Sequence, residues 1–190
     1  MKVVAVCGSA HKRGNTTMLI EAVFVPLRAA GIECELIELA HKDVRGCTAC
    51  GKCTDKRDGR CYGRNDDGNE VIEKLGAADG VILGSPVYFA DVTAEMKAVI
   101  DRAGYVSRSK REMFVRKPGA AVVAVRRAGA IHAFDTMNHF FTIAEMITVG
   151  SSYWNIGVGR ERGDVANDAE GMRTMARLGE NMAWLLEKLA

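Results

Sequence analysis

The chain has 190 residues, 48% of them hydrophobic and 26% charged, which is enough to bury an apolar core without covalent cross-links. Its formal net charge of +2 provides no overall field that favours a nucleic acid or a membrane surface as partner. No apolar run reaches the roughly 18 residues of a transmembrane helix, and the start, MKVVAVCGS, leaves no room for a signal peptide. We therefore expect a single domain over residues 1–190, located in the cytoplasm.

Predicted strands and helices alternate along the chain. Short apolar runs predict strands, and longer stretches with apolar residues every three or four positions predict helices. The predicted strands are 2–7, 33–39, 80–85, 120–125 and roughly 148–155. The predicted helices are 16–30, which Pro26 should kink or loosen, and 69–79, 93–103, 133–147 and 170–189. This alternation predicts an α/β fold, a five-stranded parallel sheet with helices on both faces. Ligands of such sheets bind at the carboxyl ends of the strands, so the loops after the first, third and fourth strands are candidate binding loops.

The first candidate loop, GSAHKRGNTT (8–17), joins a buried strand to a helix. Backbone N–H groups and the positive end of the helix dipole form an anion site at such a junction. The loop matches neither G-x-G-x-x-G nor G-x-x-x-x-G-K-[ST], so neither a dinucleotide-binding motif nor a P-loop is indicated. Its polar side chains, Ser9, Asn15, Thr16 and Thr17, suit a phosphate monoester. The alternative interpretation is N-capping of the helix by Asn15 or Thr16.

The second candidate loop starts with SPVYF (85–89), directly after the third strand. Pro86 stiffens this loop because its ring fixes φ. Backbone amides near Val87, together with the rings of Tyr88 and Phe89, could face a flat heterocycle at the ligand end of the sheet. The alternative is that the two aromatic side chains pack in the core or at an interface.

The third candidate loop, RRAGAIHAF (126–134), follows the fourth strand. Gly129 has no side chain, so a planar ligand could approach the backbone closely. Arg126 and Arg127 add positive charge, although exposed arginines are also common on solvated surfaces. The three loops together predict a site for an anionic ligand with a flat ring system.

The motifs GNTT and SPVYF, the latter followed by TAEMKAVIDR, resemble those of the NADPH-dependent FMN reductase family of flavodoxin-like proteins. The resemblance covers nearly the whole chain and implies FMN as cofactor, with its phosphate in the first loop and its isoalloxazine ring between the second and third. Because the flavin carries the chemistry, no catalytic side chain is required. The residues that the resemblance assigns to FMN are Ser9, Asn15, Thr16, Thr17, Pro86, Val87, Tyr88, Phe89, Arg126, Arg127 and Gly129.

The stretch 41–66 has no apolar periodicity and holds four of the six cysteines, Cys47, Cys50, Cys53 and Cys61. We expect it to form a long cysteine-rich insertion after the second strand. A cytoplasmic location disfavours disulfides and favours metal binding or redox chemistry. The C-x₂-C-x₂-C spacing is closer to the ferredoxin pattern of a [4Fe–4S] cluster than to two separated zinc knuckles. Zinc, reversibly oxidised thiols and no ligand at all stay open as alternatives.

Among flavodoxin-like proteins, this cysteine pattern resembles that of the iron–sulfur flavoproteins, which implies a [4Fe–4S] cluster on the four cysteines. The implied function is an oxidoreductase that moves electrons between NAD(P)H or ferredoxin and an acceptor. The resemblance also implies a homodimer or homotetramer in which the cluster approaches the FMN of a neighbouring subunit. The alternatives are a flavodoxin-type electron carrier without turnover of its own and a zinc-held interaction module on the same scaffold.

Overall fold

A parallel sheet lies at the centre of the structure, a computed structural model that describes residues 1–110 and 112–190. The strands pair in the order β2-β1-β3-β4-β5, and β6 also pairs with β4. This is the flavodoxin-like order, in which the direction of winding reverses between β1 and β3, and it confirms the predicted fold. The strands are β1 (Lys2–Cys7), β2 (Glu33–Glu38), β3 (Gly80–Pro86), β4 (Pro118–Val125), β5 (Ile147–Thr148) and β6 (Ile156–Val158).

Helices cover both faces of the sheet, so the central strands are largely buried and mostly apolar. One face carries α1 (Asn15–Ala29) and α6 (Ala169–Leu189). The other carries α3 (Gly68–Ala77), α4 (Ala94–Ser109) and α5 (Ala130–Ile143). A single turn that was not predicted, α2 (Lys52–Lys56), packs against α4. Within residues 1–110 and 112–190, the structure shows no helix that combines the length and the apolar character needed to cross a bilayer.

The predicted fifth strand, 148–155, is wrong in its interior because this segment pairs with β4 only at its two ends. The turn-forming residues 150–152 draw the chain away from the sheet edge between β5 and β6. Asn155 closes the resulting gap. Its Nδ2 donates to the carbonyl of Ala121 at 3.0 Å, and its own carbonyl accepts from the N–H of Val123 at 2.9 Å. A buried side chain thus supplies a hydrogen bond that a continuous strand would have made.

The proline in α1 is accommodated by the helix that faces it. α1 is continuous from Asn15 to Ala29 with Pro26 in its last turn, where the loss of one hydrogen bond costs least. On α6, a Cβ at Gly179 would overlap the Pro26 ring and the carbonyl of Val23. The absence of a side chain at Gly179 therefore lets the two helices approach each other closely at the proline.

Candidate functional site

A cavity of about 690 Å³ opens at the carboxyl ends of the central strands. Its walls come from the loops after β1, β3, β4 and β6 and from His41. The three loops that the sequence predicted therefore meet at one site, which is where α/β sheets of this kind bind their ligands.

The start of α1 forms the anion-binding end of this cavity. Its N-cap residue, Gly14, has an extended backbone and makes no side-chain capping hydrogen bond. The expected alternative, N-capping by Asn15 or Thr16, is therefore not what the structure shows. The amides of the first turn have no partner inside the helix, so they can donate to a ligand at the positive end of the helix dipole. The buried hydroxyl of Ser9 accepts from the N–H of His11 at 3.1 Å and shapes the loop in front of α1.

The four predicted phosphate residues have different surroundings. Ser9, Asn15 and Thr16 line the cavity, whereas Thr17 does not. The hydroxyl of Thr17 instead donates to Glu38 Oε1 at 2.8 Å, beneath the loop. Assignment of FMN phosphate contacts to the four residues stays a prediction, which these surroundings favour most for Thr16.

Asn15 also joins two loops of the cavity. Its Nδ2 donates to the carbonyl of Glu161 at 2.8 Å, and its Oδ1 accepts from the N–H of Gly163 at 2.7 Å. The side chain of Asn15 therefore holds the loop after β6 against the start of α1, and positions one cavity wall against another.

The loop after β3 forms a tight turn beside the cavity. Tyr88 and Asp91 exchange backbone hydrogen bonds of 2.8 and 3.1 Å, and Phe89 and Ala90 at the tip both have positive φ, 48° and 65°. Two successive positive φ values define a turn of type I′, in which non-glycine residues are uncommon. Of the predicted ring contacts, Pro86, Val87 and Tyr88 line the cavity, whereas the Phe89 side chain is fully exposed at the tip and does not.

Of the three residues predicted from the loop after β4, only one lies at the cavity. Arg126 lines the cavity; Arg127 and Gly129 do not. Gly129 has a φ of 85°, and a Cβ there would lie 3.0 Å from the Cα of Ala90. This glycine therefore allows the loop to pack against the turn after β3, which is a different role from contact with a planar ligand.

The sequence did not identify the fourth wall, the loop after β6. Its residues Arg160 and Arg162, with Lys12 and Arg126, make the cavity lining predominantly cationic. Glu161 is the exception, and its carboxylate pairs with Arg160 Nε at 3.1 Å. The run RERG could have drawn attention to this loop, but its position depends on pairing of β6 with the end of β4. The cationic lining suits an anionic ligand.

A second, smaller cavity of about 120 Å³ is lined by the four clustered cysteines, Cys47, Cys50, Cys53 and Cys61. It shares no lining residue with the cavity at the strand ends. Thr54, Tyr62 and three residues of α4, Arg102, Tyr105 and Val106, provide other parts of its wall. All six cysteines fall within the described residues, and each is a free thiol. In the part of the chain that the structure describes, no three or more His, Cys, Asp or Glu side chains are arranged to hold a single metal ion.

Backbone N–H groups donate to two of the four sulfur atoms, and a side chain holds the backbone of a third cysteine. The N–H of Ala49 donates to Cys47 Sγ at 3.3 Å, and a hydrogen bond from the backbone N–H of Lys52 lowers the pKa of the Cys50 thiol. The side chain of Asn69, at the start of α3, holds the backbone of Cys61 through two hydrogen bonds. Its Oδ1 accepts from the Cys61 N–H at 2.8 Å, and its Nδ2 donates to the Cys61 carbonyl at 2.9 Å. Such donors stabilise thiolates, which are the form that binds metal.

The two chain segments that flank the cysteine segment (residues 46–64) are joined by hydrogen bonds. We call these flanking residues, 43–45 and 66–67, the neck. Asp43 and Asp67 form two hydrogen bonds, from the N–H of Asp43 to the Asp67 carboxylate at 2.8 Å and from the N–H of Asp67 to the Asp43 carbonyl at 2.9 Å. The carboxylate of Asp66 accepts from the N–H of Arg45 at 3.0 Å. The two ends of the segment are therefore tied to each other, so that the cysteine loop is a closed unit next to α4.

A buried ion pair lies between this neck and the cysteine cavity. Arg102 of α4 is 1% exposed and Asp66 is fully buried, with Arg102 Nη1 2.8 Å from Asp66 Oδ2. The same Nη1 donates to the carbonyl of Arg45 at 3.1 Å. Burial alone would lower the pKa of Arg102, but Asp66 and the Cys61 thiol beside it raise that pKa above its ordinary value. The guanidinium is therefore a permanent positive charge at the wall of the cysteine cavity.

Sequence comparison finds a matching family model and similar curated proteins. A sequence model of the NADPH-dependent FMN reductase family matches residues 1–161. An iron-sulfur flavoprotein of Methanocaldococcus jannaschii is 39% identical over 192 residues, covering 96% of each chain. An iron-sulfur flavoprotein of Methanosarcina thermophila is 30% identical over 189 residues, covering 98% of this chain and 96% of that protein.

Solved structures show the same fold at low sequence identity. RosB, crystallised with bound 8-demethyl-8-formylriboflavin-5'-phosphate, superimposes with a TM-score of 0.77 at 16% identity, covering 100% of this chain and 80% of that one. A flavodoxin from the domain Archaea superimposes with a TM-score of 0.64 at 15% identity, covering 98% and 99% of the two chains. These structures support the flavodoxin-like architecture.

Proposed function

The chain belongs to the NADPH-dependent FMN reductase family, and from that premise we propose that it is an FMN-binding oxidoreductase with a [4Fe–4S] cluster as its second redox centre. Its electron donor would be NAD(P)H or ferredoxin, and it would pass the electrons on to an acceptor. The observation that carries the proposal is the presence, in one chain, of a cationic cavity at an uncapped helix start and a separate cavity lined by four cysteines.

The strand-end cavity has the donors that FMN requires. The amides at the start of α1, with Ser9 and Thr16, would hold the phosphate, while Arg126 and Lys12 would offset its charge. Val87 and Tyr88 would lie against the isoalloxazine ring, and the tight turn that follows them would fix their position. Bound FMN supplies the redox chemistry, because a flavin accepts two electrons from a hydride donor and can return them one at a time.

The cysteine cavity fits an iron–sulfur cluster on three observations. All four thiols of the C-x₂-C-x₂-C…C run border it, backbone N–H groups donate to two of the sulfurs, and a buried guanidinium offsets their negative charge. Two relatives with high coverage also carry the name iron-sulfur flavoprotein. The residues that would bind the cluster are Cys47, Cys50, Cys53 and Cys61.

The first experiment is an anaerobic purification with reconstitution, followed by a visible spectrum and counts of flavin, iron, acid-labile sulfide and zinc. We expect one FMN and about four irons and four sulfides per chain, with broad absorbance near 400 nm beneath the flavin bands. Cys47→Ser should lose iron and sulfide but keep FMN. Cys34→Ser is the matched control, because Cys34 lies in β2 outside the cysteine cavity, and it should retain both cofactors.

Other outcomes would overturn defined parts of the proposal. Protein with FMN but neither iron nor sulfide after reconstitution would be a plain FMN reductase. One zinc per chain without flavin would favour the zinc-held interaction module. A protein with both cofactors that NADH and NADPH fail to reduce, but that reduced ferredoxin reduces rapidly, would use ferredoxin as donor.

Homodimer or homotetramer formation stays a prediction, and one surface supports it. A groove of about 870 Å³ between α4 and α5 reaches the cysteine cavity, because Thr54 and Tyr105 line both. Tyr105 and Ile143 are 55% and 62% exposed along it, and an apolar surface of this kind suits a second copy of the chain. Mass measurement at micromolar concentration should show an oligomer that Ile143→Glu dissociates and that the control Val25→Glu, on α1, leaves intact. A monomeric wild type would overturn the prediction.

A further inference from the structure

We propose that Arg102 donates N–H···S hydrogen bonds into the cysteine cavity and thereby raises the reduction potential of the cluster bound there. This inference rests on the proposed function, which supplies the cluster. It assigns a task to a residue of α4 that lies far in sequence from the four cysteines.

The first observation is that the buried guanidinium of Arg102 uses only one of its three nitrogen atoms as a hydrogen-bond donor to the described residues. Arg102 Nη1 donates to Asp66 and to the carbonyl of Arg45. Its Nε and Nη2 are buried, yet neither has a hydrogen-bond partner among the described residues. A buried donor left without a partner destabilises the folded state, and more strongly when the group is charged. These two donors are therefore available to an acceptor that binds in the cysteine cavity.

The second observation is that Asp66 already accepts hydrogen bonds from other donors and does not pair with Nε or Nη2 of Arg102. Its Oδ2 already accepts from Arg102 Nη1 and from the N–H of Arg45, and its Oδ1 accepts from the N–H of Gly68 at 3.1 Å. The carboxylate of Asp66 thus accepts three hydrogen bonds, whereas Nε and Nη2 of the guanidinium have no acceptor within residues 1–110 and 112–190. Because Arg102 lines the cavity of the four thiols, we expect the acceptor for its Nε and Nη2 to lie in that cavity.

The third observation is that the guanidinium is held in one place. A Cβ on Gly68 at the start of α3 would overlap Nη1, Cζ and Nη2 of Arg102, so the planar group packs directly against the backbone there. Among the described residues that line the cysteine cavity, Arg102 is the one cation. A fixed, fully charged fork of N–H groups is the arrangement that favours charge-assisted hydrogen bonds to an anion.

A cluster in this cavity would present thiolate and sulfide sulfurs as acceptors. One-electron reduction increases the negative charge on those sulfurs, so N–H donors and positive charge stabilise the reduced form more than the oxidised form. Hydrogen bonds to sulfur and net charge are established means of setting cluster potentials. Arg102 would therefore make the cluster easier to reduce.

The test compares Arg102→Lys with Arg108→Lys in the reconstituted protein. Lysine keeps a positive charge near Asp66 but cannot donate from the positions of Nε and Nη2, whereas Arg108 is exposed on the same helix and does not line the cysteine cavity. In an anaerobic redox titration followed by electron paramagnetic resonance, Arg102→Lys should have the lower midpoint potential. We expect at least a tenfold weaker reduction equilibrium, which is about 59 mV for a one-electron couple; Arg108→Lys should match the wild type.

A second measurement uses the wild-type protein, so it does not depend on the stability of a variant. Protein grown with arginine ¹⁵N-labelled in the guanidinium group should show, in pulsed electron paramagnetic resonance of the reduced cluster, a ¹⁵N coupling that unlabelled protein lacks. Of the arginines that the structure describes, Arg102 is the one that lines the cysteine cavity, whereas Arg57, Arg60 and Arg64 of the cysteine segment do not. We therefore assign such a coupling to Arg102.

The outcomes separate this inference from the proposed function. Wild type without iron and sulfide would overturn both. Wild type with a cluster, but without a ¹⁵N coupling and with the same potential in Arg102→Lys and Arg108→Lys, would overturn the role of Arg102 alone. If Arg102→Lys fails to retain a cluster, the ¹⁵N coupling in wild type decides between the two results.

Discussion

Adjacent threonines at the start of α1 have separate roles. Thr16 borders the strand-end cavity, while the Thr17 hydroxyl is already bonded to Glu38. In sequence the two look equivalent, since both belong to the motif GNTT. Only the direction in which the helix begins separates a candidate ligand contact from a structural one.

We predict different effects for the two threonine-to-valine substitutions. Thr16→Val should weaken FMN binding about tenfold or more, because a hydrogen bond to a charged group contributes about 1.5–3 kcal/mol. Thr17→Val should keep FMN affinity within about twofold but lower the free energy of unfolding by about 1 kcal/mol. Fluorescence titration with FMN and urea unfolding measure the two quantities. Equal losses of affinity in both variants would contradict the assignment.

Gly68 shows how a missing side chain can determine the position of a charged one. Its backbone packs against the Arg102 guanidinium, so we predict that Gly68→Ala separates the ion pair and lowers the free energy of unfolding by about 3 kcal/mol. Gly46→Ala is the control, since nothing lies within 4 Å of the position of its Cβ, and it should change stability by less than about 0.5 kcal/mol. Similar urea midpoints for the two variants would contradict this account.

At the scale of loops and helices, the sequence predicts those walls of the strand-end cavity that directly follow a buried strand. The apolar runs at β1, β3 and β4 identify three cavity walls, because the carboxyl ends of parallel strands meet at one edge. The fourth wall follows β6, and no local pattern shows that the chain leaves the sheet after β5 and returns.

The partners of the cysteines were also beyond local prediction. Cys47, Cys50, Cys53 and Cys61 are conspicuous in sequence, but the buried pair of Asp66 and Arg102 forms only when α4 packs beside the loop. In sequence Arg102 is an ordinary charged residue within an amphipathic helix. Tertiary packing, which the periodicity of α4 does not encode, makes it part of the site.

The loop after β4 offers a matched pair of arginines for testing the FMN cavity. Both are exposed, but only Arg126 lines the cavity. We predict that Arg126→Gln weakens FMN binding about three- to tenfold and reduces its salt dependence, as expected for a solvent-screened charge contact. Arg127→Gln should bind FMN as the wild type does, at low and at high salt. A comparable loss in Arg127→Gln would show that general surface charge, and not contact with FMN, is responsible.

For the whole molecule, the contact between α1 and α6 tests whether the scaffold and the site can be separated. We predict that Gly179→Ala lowers the free energy of unfolding by about 1–3 kcal/mol, because an added methyl group would overlap Pro26 and the backbone of Val23. FMN affinity of the folded protein should not change, since neither residue lines the strand-end cavity. Gly150→Ala, which adds its Cβ in open space, is the control. Loss of affinity without loss of stability would contradict this separation.

The interrupted strand at one side of the sheet has a consequence for behaviour at high concentration. A long, regular outer strand can recruit an equivalent strand from a neighbouring molecule and so begin aggregation. Here β5 and β6 are too short to act as such a template, and Asn155 occupies backbone groups of β4 between them. At the opposite side, the outer strand β2 carries Glu33 and Glu35, which bind Lys2, and charges at an edge also discourage strand addition. Both margins of the sheet therefore oppose the growth of intermolecular β-structure, which would protect the protein during the cofactor-free stage of its synthesis.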